Sequence, residues 1–133
     1  MWISGPGSEP AEEDSRGPAG PSAAPEPAPF DLEHLNRMTH GDRALAREVL
    51  RLFAFQAEKQ LAAIRASADQ RMRSEAAHAL KGAARGVGAF AVARAAEEIE
   101  AKAGDAAAFV PALARLEASV TEAKRTLPEL LRD

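Results

Sequence analysis

The sequence contains no cysteine, and this absence removes several kinds of chemistry at once. Without thiols the chain can form no disulfide framework, no thiolate metal site and no cysteine nucleophile. The absence fits a reducing compartment, and we expect a cytoplasmic location. Aromatic residues are also scarce, with five Phe, one Trp and no Tyr. The core must therefore be aliphatic and rich in alanine, which favours closely packed helices over a β-sandwich.

Long apolar runs and excess basic charge are missing as well. No run is long enough to span a bilayer, and the sequence does not open on the basic and apolar segments of a signal peptide. The formal net charge is −3, whereas nucleic-acid binders are usually basic. We therefore expect neither a membrane nor a nucleic acid as partner. The 133 residues suit one domain, and 46% hydrophobic residues suffice for a packed core.

Residues 1–29 differ in composition from the rest of the chain. They hold seven of the nine prolines, and their five acidic residues and one arginine give a net charge of −4. Such a segment cannot bury enough apolar surface to offset the entropy lost on ordering. We predict a disordered tail rich in Pro, Gly and acidic residues over residues 1–29, and a helical domain over residues 30–133. Trp2 and Ile3 are either part of an unselected flexible end or a short docking motif.

From residue 30 onward, apolar residues recur with the period of amphipathic helices. A short first helix begins near Asp31, and Asp42 can cap a second helix that runs to about Ser67. The remaining helices are predicted over residues 69–87, 90–103 and 106–127. Pro128 is expected to close the last helix. Four long helices with short turns predict an all-α, antiparallel up-down-up-down four-helix bundle, and the short N-terminal helix should cap one end.

The stretch SEAAHALKGAARGVGA, residues 74–89, carries the candidate site. On a helical wheel, His78, Lys81, Gly82 and Arg85 share a polar face, so His78 should point to solvent from mid-helix. The opposite face is apolar and should be buried: Met72, Ala76, Leu80, Ala83 and Val87. A glycine inside a helix costs roughly 1 kcal/mol relative to alanine. Gly82, one turn after His78, therefore indicates that another molecule must come close to the imidazole.

The chemistry that fits this face is phosphoryl transfer. A neutral imidazole is a good nucleophile, and Lys81 and Arg85 would offset the charge of an anion attached to His78. No triad partner for hydrolysis is evident. No Walker-type phosphate loop is present, and the helical pattern leaves no nucleotide-binding or kinase domain. The phosphoryl group must then come from another protein and leave to another, and whether such an intermediate counts as an enzyme stays open.

The run from His78 to Ala89 resembles the signature of histidine-containing phosphotransfer domains of two-component phosphorelays. In that family a His-x-Leu-Lys-Gly core is followed, ten residues after the histidine, by a glycine and often an alanine. Gly88 and Ala89 match this pattern. The resemblance extends over about residues 30–127 and includes a phenylalanine in the second helix, here Phe53.

The resemblance implies a role for each matching residue. His78 corresponds to the phosphorylated histidine, Lys81 to the lysine that steadies the phosphoryl oxygens, and Gly82 to the small residue that lets a receiver domain approach. Glu100 matches a position, often Gln or Glu, that hydrogen-bonds the inner imidazole nitrogen and orients the ring. Attack would come from the outer ring nitrogen, Nε2.

Partners are implied by the same resemblance. They are the receiver domains of response regulators, together with a hybrid or separate sensor histidine kinase. The second helix usually presents exposed apolar side chains to the receiver, here Leu52 or Phe55, and Arg85 is a further candidate for docking. The chain would need no cofactor, because the receiver holds the Mg²⁺ ion. We expect a monomer.

Other interpretations of the same residues stay open. The bundle could bind a partner without ever carrying phosphate, or act as the substrate domain of a kinase working in trans. Glu75-x-x-His78 also has the spacing of di-iron bundles, but these require a second inward-facing pair. Neither His34 nor His40 has a glutamate three residues before it. We therefore predict no metal site, and we expect His34 and His40 to be ordinary surface residues.

Overall fold

The computed structural model describes residues 28–132. This range contains five helices and no strand: α1 (Leu32–Met38), α2 (Arg43–Ala66), α3 (Gln70–Gly86), α4 (Phe90–Lys102) and α5 (Ala106–Leu130). The all-α fold is confirmed. Residues 1–27, which carry most of the predicted disordered tail and the Trp2-Ile3 motif, lie outside the described residues, so those predictions stay untested.

The four long helices form the predicted bundle. Helix α3 packs between α2 and α4, and α5 closes the ring by packing on α4 and α2. Helix α1 lies across one end. Just before it, the Phe30 ring meets Phe53 of α2 edge-on, with ring centroids 5.7 Å apart. The Asp31 amide donates a hydrogen bond to the Gly88 carbonyl at 2.9 Å, which ties the capping segment to the end of α3.

Aspartates begin four of the five described helices. Asp31, Asp42, Asp69 and Asp105 precede α1, α2, α3 and α5, and each carboxylate accepts a backbone amide of the first turn. Such caps satisfy amides that have no partner within the helix. Helix α4 follows Ala89 without a side-chain cap, because the tight α3–α4 connection leads directly into it.

The core is aliphatic and rich in alanine, as the composition predicts. Leu50, Leu80 and Ile99 are fully buried at its centre. Ala77 of α3 and Ala96 of α4 are also fully buried, and α3 and α4 form the most extensive helix pair of the bundle. Small side chains let two helix backbones approach closely. This close packing brings the outer face of α3 within side-chain reach of α4, where the site is built.

Gly88 has a structural reason to be glycine. Its φ of +79° lies in the left-handed region, and a Cβ there would approach the Asp31 carbonyl oxygen to 2.9 Å. Both observations exclude a side chain at this position. The glycine of the signature therefore ends α3 and makes room for the capping segment.

Two predictions about individual residues are wrong. Pro128 does not close the last helix, because α5 continues to Leu130. Proline removes only one backbone donor, on the exposed side, while Leu127 and Leu130 pack on the core and keep the last turn helical. Met72 is exposed rather than buried, because it lies in the first turn of α3, at the end of the bundle.

Candidate functional site

His78 stands in the middle of α3 with 72% of its side chain exposed. Its Nδ1 lies 3.0 Å from Oε2 of Glu100 on α4. An ionised carboxylate can only accept hydrogen bonds, so Nδ1 must carry the hydrogen. The other ring nitrogen, Nε2, then has a free lone pair. The contact therefore fixes both the ring orientation and the tautomer that is nucleophilic at Nε2.

Glu100 contacts two groups of α3 at once. Oε2 accepts from His78, and Oε1 lies 2.7 Å from Nζ of Lys81. Only 23% of the Glu100 side chain is exposed. This burial on its own raises the pKa of Glu100, but the contacts with Lys81 and His78 outweigh it and hold the pKa below its ordinary value. Glu100 is therefore a carboxylate at neutral pH.

Lys81 does not lie on the solvent-facing side where the helical wheel places it. Its side chain is 14% exposed, and its ammonium is paired with Glu100. The reason is the length of the side chain, since a lysine stem can lie along apolar surface while its head reaches a charge. Whether Lys81 contacts a phosphoryl group, as the resemblance implies, stays a prediction.

Gly82 leaves open space beside His78. A Cβ built at this position would meet nothing within 4 Å. On the other side of the imidazole lies an open groove of about 500 Å³, lined by Ser74, Glu75, His78, Ala79 and Glu100. The imidazole is therefore accessible from both sides. That Gly82 gives a partner protein access to His78 remains a prediction.

The predicted docking residues are all exposed, but only Leu52 lines a groove between α2 and α3. Leu52 and Phe55 are both exposed, as their position outside the apolar stripe suggests. A shallow groove of about 180 Å³ is lined by Val49, Leu52, Phe53, Gln56, Ala83 and Val87. Leu52 belongs to this groove and Phe55 does not. Arg85 is exposed, and its Nη2 lies 3.9 Å from Glu97 Oε2, a loose pair that leaves the guanidinium at the surface.

The other two histidines differ from His78 in their surroundings, and the described residues do not form the metal site that the Glu75-x-x-His78 spacing would require. His34 is not an ordinary surface residue, because its ring packs edge-on against Phe90 with centroids 5.2 Å apart. His40 is exposed, with a φ of +53° in the turn before α2. Glu75 pairs with Arg71, whose Nε lies 3.1 Å from Glu75 Oε2. Within residues 28–132, no group of three or more His, Asp or Glu side chains could hold a metal ion.

A second carboxylate of α4 was not identified from the sequence. Glu98 accepts from Arg115 Nε of α5 at 2.9 Å and from Lys102 Nζ at 2.9 Å. These two bonds lower the pKa of Glu98 to about 2. Glu98 and Lys102 are four residues apart in one helix, and this spacing alone predicts that the two side chains pair. Contacts between two helices, such as Lys81 with Glu100, have no fixed spacing in the sequence that would predict them.

None of the helices in the described part of the chain combines the length and the apolar character that crossing a membrane requires.

The model of the Hpt domain family matches residues 48–126. No curated protein matches the chain. The fold is similar to that of a rice protein described as a histidine-containing phosphotransfer protein, with 19% identity and a TM-score of 0.68 over 77% of this chain and 79% of that one.

A second solved structure adds similarity in sequence. It is the histidine phosphotransferase ShpA from Caulobacter crescentus, which is 31% identical, with a TM-score of 0.52 over 79% of this chain and 100% of that one. The family model spans more than half of the chain and includes the segment with His78. The chain therefore belongs to the Hpt domain family and functions in phosphorelay histidine phosphotransfer.

Proposed function

We propose that His78 is the residue that carries the phosphoryl group, which it accepts from the phosphoaspartate of one receiver domain and passes to an aspartate of another. The observation that supports this most is the exposed imidazole whose inner nitrogen is held by the Glu100 carboxylate. An accessible Nε2 with a fixed lone pair is what a nucleophile in a protein-to-protein transfer requires.

The transfer step follows from the tautomer. The Nε2 lone pair forms the N–P bond while the P–O bond to the receiver's aspartate breaks, and the aspartate leaves with the electron pair as a carboxylate. The ring keeps its Nδ1 hydrogen and gains positive charge. The Glu100 carboxylate, 3.0 Å from Nδ1, stabilises that charge where it develops. Transfer to the second receiver is the same step in reverse.

The receiver would approach across Gly82 and the α2–α3 surface. Open space at Gly82 and the exposed side chains of Leu52 and Phe55 support this docking face, and the surface charge of Arg85 adds to it. The family works with receiver domains and histidine kinases. For this chain we propose two receivers, with a hybrid or separate sensor kinase upstream, and Mg²⁺ held by the receiver. A monomeric, cytoplasmic protein fits this role.

The test is incubation with phosphorylated receiver domains. The proposal expects label on this chain that is labile in acid and stable in base, as phosphohistidine is and phosphoaspartate is not. Binding of a receiver without any transfer of label would instead favour the partner-binding module. Label that appears only when a kinase domain and ATP are supplied would favour the substrate domain of a kinase.

A further inference from the structure

The shallow groove between α2 and α3 lies beside the point where the described chain begins. Five of its six lining residues are apolar, and we call it the α2–α3 groove. Phe30 packs edge-on against Phe53, which lines the groove, with ring centroids 5.7 Å apart. The next residue, Asp31, donates its amide to the carbonyl of Gly88, directly after the groove residue Val87. The segment that precedes Phe30 is therefore tethered at the edge of the groove.

That segment carries one apolar anchor. Among residues 1–27, Trp2 and Ile3 are the only aromatic or branched aliphatic side chains. A tryptophan buries a large apolar area and loses little conformational entropy when it does so. The phosphoryl transfer proposed for His78 gives this pair no role, whereas an apolar groove is a surface on which it can be buried.

Charge favours the same side of the bundle. Residues 1–27 contain five acidic residues and one arginine. The helices on either side of the groove are basic, because α2 carries five basic and two acidic residues and α3 carries four and one. By contrast, α4 carries two basic and three acidic residues, and α5 carries three of each. An acidic segment is therefore attracted to α2 and α3, and not to the open groove between α4 and α5.

The length of the segment lets its anchor reach the groove. A flexible chain of the 27 residues that separate Trp2 from Phe30 spans about 30 Å on average. A group held by such a tether has a local concentration in the millimolar range, so a contact with a dissociation constant of about 1 mM is occupied about half of the time. A two-residue anchor is therefore sufficient, and the segment between the anchor and Phe30 needs no ordered structure.

We infer that Trp2 and Ile3 dock in the α2–α3 groove of their own chain and compete there with the receiver domain. The competition rests on the proposed function, because Leu52 both lines the groove and belongs to the proposed docking face. The docking itself does not depend on phosphoryl transfer. The α2–α3 groove is then a surface that the chain partly covers until a receiver displaces the anchor.

Trp2 reports its own docking, because it is the only tryptophan and the chain has no tyrosine. Fluorescence of the full chain would be compared with that of Leu52→Asp, which places a carboxylate in the groove at an exposed position. In the native protein Trp2 should emit at shorter wavelength and be quenched by acrylamide about twofold less readily, as half occupancy implies.

The matched control is Leu45→Asp, the same change at another exposed leucine of α2 that does not line the groove. It should leave the emission and quenching of Trp2 at their native values, and circular dichroism should show that both variants fold. Equal quenching in all three proteins, or the same effect of both variants, would overturn the docking. Protection that grows with protein concentration would show a contact between two copies and would also overturn it.

The competition is tested by the rate of phosphoryl acceptance. The full chain with Trp2→Ser and Ile3→Ser should accept about twofold faster at receiver concentrations below saturation, because the groove is then free all of the time instead of half. The gain should vanish at saturating receiver. An unchanged rate below saturation, with Trp2 protected in the native protein, would overturn the competition. If the native protein accepts no phosphate, the proposed function fails, while the fluorescence still decides the docking.

Discussion

Two carboxylates on α4, Glu98 and Glu100, are alike in almost everything except their partners. They are two residues apart, their side chains are 24% and 23% exposed, and the pKa of each is lowered by neighbouring cations. Glu98 is bonded to Arg115 and Lys102, two basic side chains of the bundle itself. Glu100 shares its charge between Lys81 and a histidine that is open to solvent.

The difference shows what separates a structural cluster from a site. Glu98 joins α4 to α5 through Arg115 and is also bonded to Lys102 of its own helix, so its contacts are all made within the bundle. Glu100 joins α4 to α3, but one of its two contacts is made with an imidazole whose other nitrogen faces solvent. Equal burial and equal charge therefore support different roles. A change in the Glu100 network should accordingly affect transfer, whereas a change in the Glu98 network should not.

The largest expected effect is the loss of the nucleophile. His78→Gln should reduce phosphoryl acceptance to background and change the melting temperature little, because the side chain is exposed and its amide can still donate to Glu100. Labelling by a phosphorylated receiver and circular dichroism melting measure the two quantities. His40→Gln, at another exposed histidine, is the matched control and should accept normally. Normal acceptance by His78→Gln would make His34 and His40 the candidates.

The next effect concerns access to the site. Gly82→Gln should slow transfer at least about tenfold, because a side chain beside the imidazole displaces the partner from its productive position. Stability should hold or rise by about 0.5 kcal/mol, since a better helix former replaces glycine. Ala114→Gln on α5 adds the same side chain far from His78 and should transfer at the native rate. Unchanged transfer by Gly82→Gln would remove its access role.

The matched pair of substitutions tests the comparison itself. Glu100→Gln should slow acceptance about fivefold, because an amide oxygen still accepts from Nδ1 but charge-assisted bonds are about twice as strong. Its melting temperature should fall as well, because the Lys81 ammonium, 14% exposed, loses its counter-ion. Glu98→Gln should also lower the melting temperature but leave transfer at the native rate. The same kinetic defect in both variants would mean that the two carboxylates are not specialised.

The smallest effect is a difference in acid stability. The pKa of Glu98 is about 2 in the folded protein against 4.5 for the ordinary group, so its contribution to stability is complete above about pH 5 and is lost as the pH falls towards 2. Glu98→Gln lacks this contribution at every pH. The melting temperatures of the native protein and the variant should therefore converge between pH 5 and 2. A gap that stays constant over this range would contradict the account of Glu98.

The sequence predicts the helices and the exposed His78 well because both depend on local patterns. The apolar periodicity predicts which face of each helix is buried. Asp42, a residue type that often caps helices, predicts where α2 begins. Lys81 and His34 are misplaced for another reason. A helical wheel gives the direction of a Cα–Cβ bond, but the end of a long or flat side chain is placed by groups on other helices, here Glu100 and Phe90.

The rule that proline ends a helix also predicts the wrong end for α5. Pro128 usually marks a helix end, yet the apolar contacts of Leu127 and Leu130 with the core keep the chain helical beyond it. Gly88 is the opposite example. The sequence offers it only as part of the family signature, whereas its positive φ gives a backbone reason for a glycine at this position. Only the structure shows that Asp31 packs against it.

The central claim is that His78 carries the phosphoryl group, and mapping the label on the native chain tests it most directly. The protein would be incubated with a phosphorylated receiver domain, digested under alkaline conditions, and its peptides analysed by mass spectrometry. The account predicts one phosphorylated peptide that contains His78, whose phosphate survives base and is lost in acid. A base-stable label on a peptide without His78, or no label while the receiver binds, would contradict it.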